Sequence, residues 1–323
     1  MIPCRPRRRP VGVRRHAYAA LAGRTAFPVA STVAFTLAIA AAIGVVPSAS
    51  HAQGCLNLRE SSPEAKLLAF YAAPLTFSTA TQPVQLRPWQ WQVALEVTPM
   101  PSADAARRTT QCYSSAKGES TNLASIFPRP RVSLGLPYNL VAELSYLPPL
   151  RVKDATANLA GLSLAWVQRA FVFAGASVIM QARAHTVLGY VEGPITCNLD
   201  ALQADPLKPC YGRNESNDRF TPNVSGVEVV GAFDVSDYAM FAGVGVNSVD
   251  PTLQVDFTDR NGFRDRNQVT LKGALNRMAF MAGGTWRVAP HIDLTGQIYA
   301  QAEDVSLVRI AMAWRFGSLR ADR

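Results

Sequence analysis

Polar and apolar residues take turns along much of this chain. In "QARAHTVLGYVEG", Gln181, Arg183 and His185 alternate with Ala182, Ala184, Thr186 and Leu188. Successive side chains of a strand point to opposite faces, so the spacing predicts one wet face and one dry face. A half-buried soluble sheet has that property, and so does a membrane barrel with an aqueous bore and an apolar skin.

The same period recurs in "WQWQVALEVT", "RVSLGLP", "LVAELSYL", "ANLAGLSLAWVQ", "FVFAGASVIMQARAHTVL", "GVEVVGAFDV", "AMFAGVGVNSV", "ALNRMAFMAGGTWRV", "HIDLTGQIYAQ" and "SLVRIAMAWRF". These segments predict about ten strands, with twelve reached if "LTFSTATQPVQL" or "PTLQVDF" pairs separately. One short helix precedes them at "SSPEAKLLAFYAA", where Ser62 can cap and Pro63 can take the first helical position. Connections alternate in length, with "AEDV" alone brief on the long side. Pro99 to Pro130, "PPLRVKDAT", Gly189 to Val224 and Asp250 to Lys272 are long, whereas Tyr138-Asn139, "QRA", "SDY" and "APHI" are short. An even, up-and-down transmembrane barrel has short turns at one rim and longer loops at the other.

Face assignment separates the two architectures further. Val308, Ile310, Met312, Trp314 and Phe316 share one side of the last strand, opposite Arg309 and Arg315. Met278, Phe280, Ala282 and Trp286 oppose Arg277, Thr285 and Arg287, and no charge falls on the side assigned to lipid. Tryptophans fall near strand ends, where amphipathic rings favour a bilayer interface. By the same parity the bore receives Glu96, Arg131, Glu143, Arg183, His185, Glu228, Asp234, Arg277, Arg287, Asp293, Gln297, Gln301, Arg309 and Arg315. The fold class is therefore all-β: an antiparallel up-and-down transmembrane barrel.

With "TWRVAPHIDLTGQIYAQ" as a barrel hairpin and "RIAMAWRF" as a closing strand, the chain resembles bacterial outer-membrane β-barrel proteins, over about residues 89 to 316. The resemblance implies outer-membrane lipid as surroundings and the barrel-assembly machinery as a partner. Such proteins often end on the aromatic residue, whereas "GSLRADR" follows Phe316 here.

Composition changes the picture at the N-terminus. The first 52 residues hold seven arginines and no acidic residue, then an apolar run and a small-residue site at Ser50-His51-Ala52, which reads as a secretory signal spanning residues 1–52. Without it, 25 Lys plus Arg face 23 Asp plus Glu, because 32 minus 7 leaves 25. The formal balance falls from +9 to +2, and a nucleic-acid partner is not expected. Residues 53–88 form a separate N-terminal segment, and the barrel occupies 89–323. Four cysteines remain after the signal, Cys55, Cys112, Cys197 and Cys210, which in an exported chain point to disulfides. Cys197 and Cys210 bracket a polar loop and are expected to pair. A bond from Cys55 to Cys112 would draw the segment from Cys55 to Leu86 through the bore as a plug.

The chemistry-bearing residues are few. Neither histidine stands at metal-ligand spacing from a cysteine, and no cofactor motif occurs. "GxSxG" and "HExxH" are absent, and His185 has Arg183 and Gln181 rather than a carboxylate or serine as strand neighbours, so no catalytic residue is assigned. Two readings of the bore stay open. Glu96, Arg183, Arg277, Arg287 and Asp293 could tune the passage of a small solute, or the charges could fill the bore of a structural or surface-receptor barrel whose cysteine-tethered loops bind a ligand.

Overall fold

The structure is a computed structural model, and it describes residues 56–103, 125–152, 154–173, 176–206 and 210–316. The expected signal at 1–52, Cys55 and Cys112 lie outside the described residues.

Ten antiparallel strands close on themselves. They are β1 (Trp91–Pro99), β2 (Ile126–Gly135), β3 (Leu140–Val152), β4 (Ala155–Phe173), β5 (Ala176–Gly193), β6 (Val224–Val235), β7 (Tyr238–Val249), β8 (Leu275–Ala289), β9 (Ile292–Gln301) and β10 (Val305–Phe316). Each pairs with the next, and β10 returns to β1 from Ile310↔Val97 to Phe316↔Trp91. Closure leaves no sheet edge running the whole height of the wall, which is what a bilayer demands of a β structure.

The alternating pattern maps directly onto the wall. Leu95, Leu144, Leu162, Leu164, Val244, Phe280, Ile298 and Ile310 are exposed outward, while Glu96, Arg131, Arg183, Glu228 and Arg309 are buried inward. A contiguous apolar belt of this kind around a closed barrel is a lipid-facing surface, and the fold is that of a membrane-spanning β-barrel of the outer-membrane type. All five tryptophans gather at the rim with the short turns. Trp89 and Trp91 sit at the start of β1, while Trp166, Trp286 and Trp314 pair with Leu140, Tyr238 and Ile292 at strand starts. Trp91 stacks on Phe316, ring centroids 4.4 Å apart, across the closing seam.

Several details differ from the pattern-based expectation. "PPLRVKDAT" is not a long loop: β3 and β4 run through most of it, accommodating Pro148 and Pro149 by a register shift between Leu147 and Leu150. "QRA" is not a turn but part of β4, which shifts register between Arg169 and Phe171 and ends only at Phe173. β2 starts at Ile126 rather than Arg131, because its prolines point their missing donors away from β1. Twelve strands are not reached. "LTFSTATQPVQL" lies inside the barrel without joining its wall, and "PTLQVDF" supplies the short strand Thr252–Gln254.

That short strand belongs to an extension above the long-loop rim. Asp218–Thr221 pairs with the top of β5, Thr252–Gln254 with Asp218–Thr221, Gln268–Leu271 with Thr252–Gln254, and Asn57–Leu58 joins last, in parallel. The N-terminal segment therefore begins at the long-loop end. Helix α1 (Pro63–Ala72) follows, with Pro63 at its first turn and the Ser62 hydroxyl accepting from the Ala65 amide at 3.2 Å. It is buried on most sides. Ala65, Leu68, Ala69 and Ala72 join Leu159, Val187, Val224, Val249 and Leu275 of the wall, and Leu67 and Phe70 meet Ala103.

Candidate functional site

Below α1 the chain runs extended down the bore to Trp91, and the wall's inward side chains meet it there. Strand parity places Glu96 on β1, Arg129 and Arg131 on β2, Glu143 on β3, Arg183 on β5, Glu228 on β6 and Arg309 on β10 in one band. They form a chain of alternating sign. Arg309 Nε lies 3.6 Å from Glu96, Arg131 Nε donates to Glu96 Oε2 at 2.7 Å, and Arg131 Nη1 donates to Glu143 Oε1 at 2.8 Å. Arg183 then bridges Glu143 at 3.1 Å and Glu228 at 3.2 Å. Ions buried at such depth need partners on every side, and the guanidinium fork supplies them geometrically.

Arg129 is the odd charge. Among the described residues it has no carboxylate within ion-pair distance; Nη1 donates to the Thr76 carbonyl at 2.8 Å and Nη2 to the Leu75 carbonyl at 2.7 Å. Other wall groups hold the strap of residues 76–90 in the same manner. Arg131 Nη2 donates to the Ser78 carbonyl at 2.9 Å, Gln297 Nε2 to the Thr79 carbonyl at 2.8 Å, and the Thr79 amide donates to Glu228 Oε1 at 2.8 Å. The Ser78 hydroxyl accepts from Arg309, and the Thr79 hydroxyl donates to Glu228. A strand without a ladder would bury unpaired backbone groups, and here wall side chains replace the ladder.

Phe77 fixes the register. Its ring is fully buried, with the guanidinium carbons of Arg131, Arg183 and Arg129 at 4.4, 5.0 and 5.6 Å from its centroid. On its remaining side stands Gly161 of β4, where a Cβ would come within 2.7 Å of the ring. Glycine at 161 is what lets the ring approach the wall.

The residues expected in the bore fall into separate groups. Glu96, Arg183 and Arg309 belong to the central band. His185 stands apart from it, with Nε2 3.2 Å from Asn247 Oδ1, and Asn247 in turn donates to Tyr299 at 2.8 Å. Arg277 pairs with Asp304 at 3.0 Å near the long-loop rim. Arg287 and Asp293 lie at the short-turn rim, 3.7 Å apart, where Arg315 binds Asp293 at 3.0 Å. Cys197 and Cys210 are disulfide-bonded in the loop above β5, packed with Val255 and Phe257.

Pattern reading misses Arg129 and the three strap residues Phe77, Ser78 and Thr79. Arg129 shares the parity of Arg131, and that was the available signal; the flanking Pro128 and Pro130 obscured it. Beneath the band a cavity of about 30 Å³ separates Thr79–Leu86 from Gln92, Ser133, Glu143 and Gln181. Gln82 Oε1 and Gln181 Oε1 are buried there with no partner among the described residues. The space is enough for water, and two open acceptors favour it.

No family model matches the chain, and no curated protein matches its sequence. Among solved structures it is similar to Ail, the attachment invasion locus protein of Yersinia pestis, at 8% identity and a TM-score of 0.27, over 71% of this chain and 100% of that one. It is similar to the copper transporter OprC at 11% identity and a TM-score of 0.29, over 72% of this chain and 38% of that one. A mutant Rh. blastica porin aligns at 9% identity and a TM-score of 0.18, over 70% and 99%.

Proposed function

We propose that this protein is a gated outer-membrane barrel, in which the segment up to Leu86 acts as a plug and a small solute passes when the strap is displaced. One observation carries the reading: the strap is held in the bore by wall side chains hydrogen-bonded to its carbonyls, amide and hydroxyls, contacts that water or a polar solute can replace one for one. A filler that served only stability would gain more from apolar packing than from buried charge. Arg183, Glu96 and Arg309 are then the groups that a passing solute meets at the narrowest level, and Arg287 with Asp293 those it meets at the short-turn mouth. In this reading His185 is a structural partner of Asn247 and not a base, and β10 is the strand presented to the assembly machinery.

Conductance in a planar bilayer tests the proposal. The full chain should be closed with brief openings, Ser78→Ala with Thr79→Ala should open more often, and deletion of residues 56–86 should leave steady conductance. Silence from a deletion variant that still folds as a barrel would rule out passage. The disulfide-tethered loop of Cys197 and Cys210 would then favour a surface-receptor barrel.

A further inference from the structure

The cavity beneath the charge band is ringed by polar groups without partners. Gln82 of the strap and Gln181 of β5 are both at least nine-tenths buried, and each side-chain oxygen lacks a hydrogen bond among the described residues. Arg183 lines the same cavity on its band side, and its buried Nε is in the same condition. Two acceptors and one donor thus stand open around one space. Buried polar groups are costly when left unpaired, so a space of this kind is built to be filled.

The charges of the lining are already matched. Glu143 lies between Arg131 at 2.8 Å and Arg183 at 3.1 Å, and Arg183 lies between Glu143 and Glu228, the latter at 3.2 Å. An anion drawn to Arg183 would meet Glu143, and a cation drawn to Glu143 would meet Arg183. The occupant is therefore uncharged.

An apolar side completes the site. Leu86, Val141 and Val167 are buried in one cluster towards the short-turn end, with Val84 packed against it, and all four line the cavity. Thr81, Val84 and Ser133 stay half-buried, so solvent reaches the cavity edge from that end. The lower strap is tied there by exposed hydrogen bonds, Gln85 Nε2 to Asn139 Oδ1 at 2.8 Å and Asn139 Nδ2 to Gln168 Oε1 at 2.9 Å. Water exchanges with such bonds readily.

We propose that this cavity is a binding site for the primary carboxamide head of a small uncharged solute, whose short apolar tail lies towards the short-turn mouth. The carboxamide NH₂ donates to Gln82 Oε1 and Gln181 Oε1, and its carbonyl accepts from Arg183 Nε. A hydroxyl carries one donor and a carboxylate none, whereas the carboxamide joins two donors and an acceptor on one planar head. Water can fill the space at rest, but 30 Å³ is about twice what one water requires, and water leaves the apolar side unused. Binding asks only the exposed Gln85 contact to yield. Onward passage of the solute rests on the gated reading; the site itself does not.

The test is saturation-transfer NMR on the full chain in phospholipid nanodiscs, reading the methyl signals of acetamide, acetate and acetamidinium, which share a shape and differ in charge. With empty nanodiscs subtracted, acetamide should bind with a Kd on the order of 1 mM, as befits so small a ligand, and the two ions at least about tenfold more weakly. Gln181→Leu and Gln82→Leu should each weaken acetamide about tenfold, the scale of one hydrogen bond to a buried partner. N,N-dimethylacetamide keeps the carbonyl and loses both donors, so it should fail on the native chain, whatever the variants do to folding. An acetamide signal no stronger than that of empty nanodiscs would make the cavity a water site and overturn the proposal. Equal binding by either ion or by dimethylacetamide would overturn it as well. Conductance does not enter these readouts: acetamide binding to a barrel that never conducts would refute passage and leave the site standing.

Discussion

The two halves of the N-terminal segment are held in the barrel by a different balance of forces. Residues 56–75 form a head whose helix buries Leu67, Leu68 and Phe70 in apolar clusters at the long-loop end. Residues 76–90 form a strap whose backbone is held by hydrogen bonds from wall side chains, with Phe77 and Leu86 as apolar contacts at its two ends. Apolar burial is non-directional and worth roughly 1.5–3 kcal/mol for each large side chain. A hydrogen bond exchanged with water is worth about 1 kcal/mol net, but it is costly when one partner is left buried alone. On the gated reading proposed above, the head is an anchor and the strap an exchangeable seal, and the contrast says where each kind of substitution should act.

The largest effect belongs to the charge band. Arg131 binds Glu96 and Glu143 and holds the Ser78 carbonyl, so Arg131→Met takes the nearest cation from two buried carboxylates at once, leaving Glu96 to Arg309 and Glu143 to Arg183. A buried pair broken on one side costs about 3–5 kcal/mol, and the loss should appear as a lowered urea midpoint for barrel unfolding in micelles. Adding Glu96→Gln should recover part of it, because Glu96 is then left with the longer 3.6 Å contact to Arg309 as its ion pair and its buried charge is under-compensated. No recovery would mean that the strap, not the wall, depends on Arg131.

The head should respond differently. Leu68→Ala removes a side chain from the cluster shared by α1 and the upper wall, at a cost of about 3 kcal/mol. Hydrogen exchange should show faster exchange in Pro63–Ala72 while β8 and β9 stay protected. If strap amides such as Thr79 open to the same extent, head and strap are one cooperative unit and the contrast between anchor and seal fails.

The wall was legible because lipid and water impose a strict period of two, and one wrong residue on the outer face would be expensive. That constraint made the inward set readable, from Glu96 through Arg309, without any knowledge of neighbours in space. It could not divide the set into a band, an Asn247-centred group and two rims, since grouping depends on stagger between strands. Register shifts at Leu147/Leu150 and Arg169/Phe171 defeated turn placement, because a bulge adds a residue without adding a turn signal. The strap was hardest. "LTFSTATQPVQL" alternates like a strand, yet its hydrogen-bond partners are side chains from five different strands, and no local pattern records that.

A guanidinium and a carboxylate meet again outside the membrane, and there the same chemistry should matter least. Arg264 binds Asp256 through two hydrogen bonds of 2.6 Å beside the small hairpin of Phe257–Thr258 and Arg264–Asp265, with both side chains partly open to water. Those hydrogen bonds hold the Asp256 carboxyl below its ordinary range. A depressed carboxylate stabilises the fold above its unfolded value of about 4 and loses that contribution as pH falls through the lower folded value. Solvent screening keeps the effect small. Amide exchange in 256–265 should therefore rise modestly between pH 5 and pH 3 in the native chain, on the order of a few-fold after correction for intrinsic rates. Asp256→Asn should flatten that rise, leaving β8 and β9 unchanged. A rise that instead spreads into the strap would show that the loops above the rim and the strap within the bore open together, and the exposed pair would then bear on the gating proposed above.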